Sequence, residues 1–378
     1  MLALNLSLPA IPVIPASSYW AFAVSLCAAL GLVLTKRWHG RFSLDRSVGV
    51  QKFHTHPTPR VGGIAIVYGV LAAFWVAEPE RKAILGPLLF AGLPAFFFGL
   101  AEDLTKQVSV LARLLGTMLS GVMGWFITGY AISSVEVPGL DFLLKYQGFS
   151  VMFTAFAIGG IANAINIIDG FNGLASGFVI VALLGLAGIA LSVNDPGLAL
   201  ACVAVAASVG GFFVVNWPLG KLFLGDGGSY FGGFAVAWAS VLLLERHPQI
   251  NAFAPLLICI HPVTEVLFSM LRRRWRKSHP ALPDRLHLHS LIMRRYVARW
   301  LNIDARWQNS ITGLMVVLLS LPAVVLGYIF SQSTAAAAVS CLVLILGYIS
   351  IYARIVRFRW CSPMEFLLVK RGRVLARA

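Results

Sequence analysis

A chain of 378 residues with 58% hydrophobic and 12% charged residues lies outside the composition of globular proteins, where charged residues make up about a quarter. That excludes a soluble or disordered protein and implies an integral membrane protein. A net charge of +15 would suggest nucleic acid in a soluble chain, but in a membrane protein it reports orientation, so nucleic acid is not an expected partner.

Windows of roughly 17 to 25 apolar residues mark spanning helices, because a helix rises about 1.5 Å per residue across a hydrocarbon core about 30 Å thick. Eleven candidates follow in chain order, near 18–35, 61–77, 83–101, 114–132, 149–166, 174–193, 198–217, 228–244, 252–270, 310–330 and 335–352. The glycine-rich window 228–244 is the weakest of them. The expected fold is therefore an all-α integral membrane protein with about 11 transmembrane helices, forming one polytopic domain over residues 1–378. No basic segment precedes the first window, and Lys36 and Arg37 follow it, as for a retained span. No internal repeat or soluble domain is evident, and the longest outer loop runs roughly from Ser133 to Gly148. Cys27, Cys202, Cys259 and Cys341 fall in apolar windows and Cys361 in the tail, a pattern of inert packing residues without a disulfide framework.

Threading the chain through these windows puts 26 of the 30 Lys and Arg residues on one side, and only Arg81, Lys82, Lys145 and Arg246 on the other. By the positive-inside rule the rich side is cytoplasmic, with the N-terminus outside and the C-terminus inside.

Five polar clusters lie on that inner side, each in a different loop. They are His54 to Gly63, Glu102-Asp103-Leu-Thr-Lys106, Asn163 to Gly173, Leu224-Gly-Asp226-Gly-Gly228, and the loop Arg272 to Asn309 with its Asp284-Arg285-Leu-His287-Leu-His289. A bundle of these spans brings all five to one mouth, and ionisable groups at membrane depth default to a functional reading. The carboxylates Glu102, Asp103, Asp169 and Asp226 are oxygen donors of the kind that suits a hard divalent ion, Mg²⁺ or Mn²⁺. Such an ion takes one or two carboxylates, leaving others for proton transfer or for orienting Lys106. The glycines around Asp226 allow backbone N–H groups to approach an anion, although a glycine turn would serve equally as a simple connection. His287 and His289, two apart, would point to opposite sides of a strand or about 200° apart on a helix, which disfavours a shared metal and leaves them as anion or base contacts. Arg285 offers a bidentate phosphate donor. His261 and Glu265 share a helical face and are expected to pair. Leu291 to Leu301 mixes arginines with apolar residues, as a helix lying on the inner leaflet would. The arginine-rich stretch from Tyr352 onward reads as an anionic-lipid contact.

Together these clusters resemble the polyprenyl-phosphate N-acetylhexosamine-1-phosphate transferase family. The resemblance runs from about His54 to Ser290. It is carried by His56-Pro-Thr-Pro-Arg60-Val-Gly-Gly63, Glu102-Asp103-Leu-Thr-Lys106, Asn163-Ala-Ile-Asn166-Ile-Ile-Asp169-Gly170, Phe223-Leu-Gly-Asp226-Gly and Pro283-Asp-Arg-Leu-His287-Leu-His289. The first and last patterns resemble the GlcNAc-1-phosphate branch more than the peptidoglycan branch. The resemblance implies a bacterial inner-membrane enzyme of surface-polysaccharide synthesis, with its site facing the cytoplasm. It would move a sugar-1-phosphate from UDP-GlcNAc or a related UDP-sugar onto polyprenyl phosphate, releasing UMP. By position it further implies Asp226 as metal ligand with Asn166 beside it, and a catalytic set of Glu102, Asp103, Asp169 and Lys106. Arg60, Asn163, Asn172, Arg285, His287 and His289 would contact substrates.

Three letters depart from the family pattern: Glu102 where an aspartate is usual, Asn172 where a second carboxylate follows Asp169-Gly, and Ser290 in place of a third histidine. A different sugar is the simplest account of them. The competing reading is a transporter or flippase, for which discontinuous helices and midplane charges are expected. The sequence does not fix whether the chain forms a homodimer.

Overall fold

The computed structural model describes residues 13–45, 57–275, 286–301 and 303–357. The order is α1 (Ala16–Leu34), α2 (Lys36–Ser43), β1 (Leu44–Asp45), β2 (Thr58–Pro59), α3 (Gly62–Val76), α4 (Pro79–Thr105), α5 (Val110–Thr128), α6 (Pro138–Leu144), α7 (Gln147–Ile168) and α8 (Leu174–Ser192). There follow α9 (Pro196–Asn216), α10 (Gly225–Arg246), α11 (Phe253–Ile258), α12 (Ile260–Trp275), α13 (Leu288–Ile292), a π-helical turn Met293–Val297, α14 (Ala298–Trp300), α15 (Ala305–Ile329) and α16 (Thr334–Val356).

Among the described residues nine helices are long and apolar enough to cross a membrane: α1, α4, α5, α7, α8, α9, α10, α15 and α16. A helix satisfies most of its backbone hydrogen bonds within itself, the condition for crossing hydrocarbon. Two of the eleven windows behave differently. The window 61–77 yields only the 15-residue α3, and 252–270 breaks at Cys259 into α11 and α12. Pro262 weakens the helix there, because its ring removes an N–H and clashes with the carbonyl four residues earlier, at Ile258.

Helix α10, the weakest window in the sequence, is the axis of the bundle. Every residue from Gly225 to Leu243 is buried, and α10 packs against α3, α4, α5, α7, α8 and α9. Its glycines permit that enclosure: a Cβ on Gly233 would lie 2.6 Å from Ala162 Cα on α7. The two short strands pair antiparallel, Leu44 opposite Pro59 and Asp45 opposite Thr58, and so fix the chain entering α3.

The segment 291–301 does not form a helix free to lie on a membrane surface. Its Leu291, Ile292 and Val297 are buried, the π-helical turn interrupts it, and it packs on α15, while α13 also meets α16. Helix α16 continues past Tyr352 to Val356, so Tyr352 and Ile355 belong to the bundle and not to a tail.

Candidate active site

One end each of α4, α5, α7 and α10 and the segment before α3 meet at the first turn of α10. The approach is laced by backbone bonds: Phe223 N–H donates to Pro59 O (2.8 Å), Gly62 N–H to Phe223 O (3.0 Å) and Gly63 N–H to Leu224 O (3.0 Å). Gly225, at φ 75°, admits no side chain, since a Cβ there would lie 2.2 Å from Arg60 O and 2.5 Å from Asp103 Oδ2.

No side chain of its own caps α10. The cap comes from α4, where the buried Asp103 accepts from Asp226 N–H (2.9 Å) at Oδ1 and from Gly227 N–H (3.0 Å) at Oδ2. A carboxylate there meets two of the unpaired donors of the first turn and the positive end of the helix dipole. The glutamate-aspartate pair thereby divides. Glu102 faces away and accepts from Val108 N–H (2.9 Å), closing the α4–α5 turn, and the exposed Lys106 sits at its left-handed apex (φ 57°) with Nζ 3.3 Å from Leu44 O.

With its backbone held by Asp103, Asp226 presents its carboxylate to three side chains. Oδ1 accepts from Arg60 Nη2 (2.9 Å) and Asn166 Nδ2 (3.1 Å), and Oδ2 accepts from Arg113 Nη1. Asn166 also donates to Ser229 Oγ (2.9 Å) and accepts from Tyr230 Oη (3.3 Å). Sequence reasoning missed Arg113, Ser229 and Tyr230. Arg113 carried a usable signal, a cation within the first turn of an apolar span that begins at Val110.

Asp169 ends α7, three residues beyond Asn166, and its N–H donates to Asn166 O (3.1 Å). Burial pushes its carboxyl up to about 7; the nearby Asp226 charge acts in the same direction and Arg60 opposes both. The next residues meet the histidine loop, where a Cβ on Gly170 would lie 3.2 Å from His289 Nε2, and the Phe171 and His289 rings meet edge to face at 5.5 Å.

The histidines themselves depart from expectation. His287 is extended (ψ 146°) and Leu288 begins α13, so neither strand nor helix periodicity governs the pair. Their rings stack, 5.3 Å between centroids and 12° between planes. Nor do His261 and Glu265 bond to each other. Glu265 accepts instead from His287 Nδ1 (2.8 Å), Leu288 N–H (3.2 Å) and Tyr348 Oη (2.9 Å), while His261 Nε2 is buried with no hydrogen-bond partner among the described residues.

Two expected site residues point elsewhere. Asn163, one helical turn before Asn166, donates to Thr117 Oγ1 (3.1 Å) and Gly159 O (2.8 Å), tying α7 to α5. Asn172 braces its loop against α15: its N–H donates to Asn309 Oδ1 (2.7 Å) and its Nδ2 to Ser310 Oγ (3.1 Å). Ser290 is buried in α13. His54, His56 and Arg285 lie outside the described residues.

The donor chemistry suits a hard cation. Among the described residues no three His, Cys, Asp or Glu side chains group as a metal cage, and the cluster offers oxygens only. A carboxylate has about four acceptor directions. Three on Asp226 are filled, two at Oδ1 and one at Oδ2, so Oδ2 retains one. Mg²⁺ bound mainly by substrate phosphates and one protein carboxylate fits such a site.

A model of glycosyl transferase family 4 matches residues 85–244, the stretch that holds Glu102, Asp103, Asn166, Asp169 and Asp226. An undecaprenyl-phosphate alpha-N-acetylglucosaminyl 1-phosphate transferase of Yersinia pestis is 30% identical over 250 residues, covering 65% of this chain and 68% of the relative. The chain belongs to glycosyl transferase family 4. A probable undecaprenyl-phosphate N-acetylglucosaminyl 1-phosphate transferase of Bacillus subtilis (strain 168) is 29% identical over 72% of this family 4 chain and 76% of its own length. A phospho-N-acetylmuramoyl-pentapeptide-transferase of Clostridium perfringens (strain 13 / Type A) is 27% identical over 56% and 68%. Family 4 membership sets aside the transporter reading, although the break between α11 and α12 is a discontinuity of the kind that reading called for.

Proposed function

We propose that this multi-pass membrane transferase moves N-acetylglucosamine-1-phosphate, or that of a related N-acetylhexosamine, from a UDP-sugar to undecaprenyl phosphate. An oxygen of the lipid phosphate attacks the phosphorus that bears the sugar. The bond from that phosphorus to the UMP oxygen breaks, leaving polyprenyl-diphospho-sugar and UMP. The observation that carries the reading is the buried Asp226 at the first turn of α10, held by Asp103 through its backbone and by Arg60, Arg113 and Asn166 through its carboxylate.

Phosphoryl transfer asks a protein for alignment and charge neutralisation more than for covalent chemistry. A bound Mg²⁺ would supply charge neutralisation for the diphosphate. Asp226 and Asn166 are the residues to hold it. Arg60 and Arg113 are poised to turn from Asp226 to phosphate oxygens, for which a guanidinium fork is suited. Asp103 is assigned a positioning role, because both of its oxygens serve the backbone of α10. Asp169, with its carboxyl near 7, is the group matched to take a proton from the lipid phosphate at neutral pH. Lys106 and Glu102 stand at the α4–α5 turn next to Asp103. His287 and His289, stacked beside Gly170, would receive the nucleotide-sugar together with Arg285. The end of the bundle that carries the site also carries most of the basic residues, which supports a cytoplasmic orientation.

The test is release of UMP from UDP-GlcNAc by the full chain in nanodiscs with undecaprenyl phosphate and Mg²⁺. Absence of exchange with every UDP-N-acetylhexosamine overturns the reading.

A further inference from the structure

Helices α12 and α16 face each other through two polar rungs, both of which end on the histidine loop. In the first, Glu265 of α12, fully enclosed, takes a hydrogen bond from Tyr348 Oη of α16 at Oε2 (2.9 Å). The same carboxylate accepts from His287 Nδ1 (2.8 Å) and Leu288 N–H (3.2 Å). In the second, Arg272, seven residues along α12 and so on the same face, donates through Nη1 to Tyr352 Oη (2.7 Å) and to Leu286 O (2.9 Å). Its Nη2 reaches Ser269 Oγ at 3.2 Å. Tyr348 and Tyr352 stand one turn apart on α16 with ring centroids 6.4 Å apart. Thus the peptide groups on both sides of His287, and its ring, are held by one acid and one base of α12, each steadied by a tyrosine of α16.

An enclosed carboxylate and guanidinium are expensive to bury without partners, and among the described residues the two draw partners from α16, from the loop and from α12 itself. The carboxylate also selects the imidazole tautomer. A carboxylate that already accepts from Leu288 N–H and Tyr348 Oη has only acceptor character toward the ring, so Nδ1 carries the proton and Nε2 is the acceptor of the neutral imidazole. His287 in turn stacks on His289, so the tautomer and angle of one ring set the face offered to the other.

We propose that Glu265 and Tyr348 are positioning residues for His287. They fix its Nδ1–H tautomer and the seat of the histidine pair, so the C-terminal helix shapes the nucleotide-sugar site without touching substrate. Tyr348 and Tyr352 lie about 100 residues beyond the segment that the family model matches, residues 85–244. The assignment rests on the proposed role of His287 in binding the UDP-sugar.

The experiment compares wild type, Glu265→Gln and Tyr348→Phe as full chains in nanodiscs, with three readouts. These are the ¹⁵N shifts of the His287 ring, the dissociation constant of UMP, and KM against kcat for UDP-GlcNAc. Glutamine keeps the shape but adds an N–H₂ where acceptors are needed, so Glu265→Gln should mix the His287 tautomers. UMP binding should weaken about 10-fold and KM should rise in step, with kcat changed far less. Tyr348→Phe removes one donor and leaves the packing, and should weaken UMP binding about 3-fold in a folded protein; this variant decides the matter if Glu265→Gln does not fold. Unchanged ring shifts and UMP affinity in an active Tyr348→Phe or Glu265→Gln protein overturn the proposal. If wild type neither turns over any UDP-N-acetylhexosamine nor binds UMP, the proposed function fails, and the ring shifts alone then decide: a tautomer change in Glu265→Gln keeps the positioning assignment, and its absence ends it.

Discussion

Replacing Asp103 separates positioning from proton transfer. Its carboxyl is 1% exposed and holds Asp226 N–H at 2.9 Å and Gly227 N–H at 3.0 Å, with Arg60 Nη2 at 3.5 Å from Oδ1. Asp103→Ala strips both donors of their partner. A buried N–H left unsatisfied costs about 1–3 kcal/mol, so loss of the pair should destabilise the protein by about 2–5 kcal/mol. Asp103→Asn keeps one acceptor and turns an N–H₂ toward the second donor, for about 2 kcal/mol. Because Asp226 hangs on this cap by its own N–H, loosening the first turn of α10 should also shift its carboxylate. The Mg²⁺ concentration for half-maximal rate should then rise about 10-fold, the equivalent of about 1.4 kcal/mol of lost binding at the ligand. Thermal unfolding followed by intrinsic fluorescence and initial rates over a Mg²⁺ series read both effects. The reasoning is refuted if Asp103→Asn keeps the wild-type melting temperature and Mg²⁺ dependence yet loses about 100-fold or more in kcat. That is the signature of a lost general base.

Asp226→Asn should reduce Mg²⁺-dependent turnover by more than 100-fold, because Arg60 and Arg113 lose their shared anion and the metal its carboxylate; retained turnover removes Asp226 from the metal site. Asn172→Asp tests a loop brace: Ser310 Oγ accepts from Asn172 Nδ2 while donating to Pro218 O, and an aspartate would compete for that single hydroxyl proton. A loss of about 1–2 kcal/mol in stability with kcat preserved is expected, whereas a large fall in kcat at unchanged stability would show that the amide meets substrate. The pH dependence should follow Asp169, whose carboxyl is raised from 3.8 to about 7. The rate should climb as pH rises through about 7, when the base form appears. The same shift gives stability that is present below about pH 4 and lost as pH rises toward 7, so melting temperature should fall over that interval in wild type and stay flatter in Asp169→Asn. A rate independent of pH between 6 and 8 would exclude Asp169 as the base.

Much of this protein is legible in one dimension because a membrane span is a local object. A spanning helix must satisfy its backbone within itself, so α1, α4, α5, α7, α8, α9, α15 and α16 each announce themselves as an apolar window. Even the break in 252–270 has a local contributor, Pro262. Short loops between antiparallel spans also force alternate loops to one end, so the gathering of Arg60, Asp103, Asn166, Asp169 and Asp226 followed from counting spans. Helix α10 was the hardest window to read because its glycines lower its apolarity, and those same glycines let six helices close on it.

Which atoms meet at that end was a tertiary matter. The cap of α10 comes from Asp103, 123 residues before it, and the partner of Asp226 Oδ2 from Arg113, 113 residues away. No periodicity links such positions; each contact exists because packed helices place two termini within hydrogen-bonding distance. The same holds for Asn172, drawn to Ser310, and for Glu265, which prefers His287 and Tyr348 to the histidine one turn behind it. Residue types and span order told which polar groups would be expected to seek partners in a membrane protein, since burying one alone is costly. Only the packing decided which partner each one took, because hydrogen bonds act over about 3 Å and the sequence carries no distances.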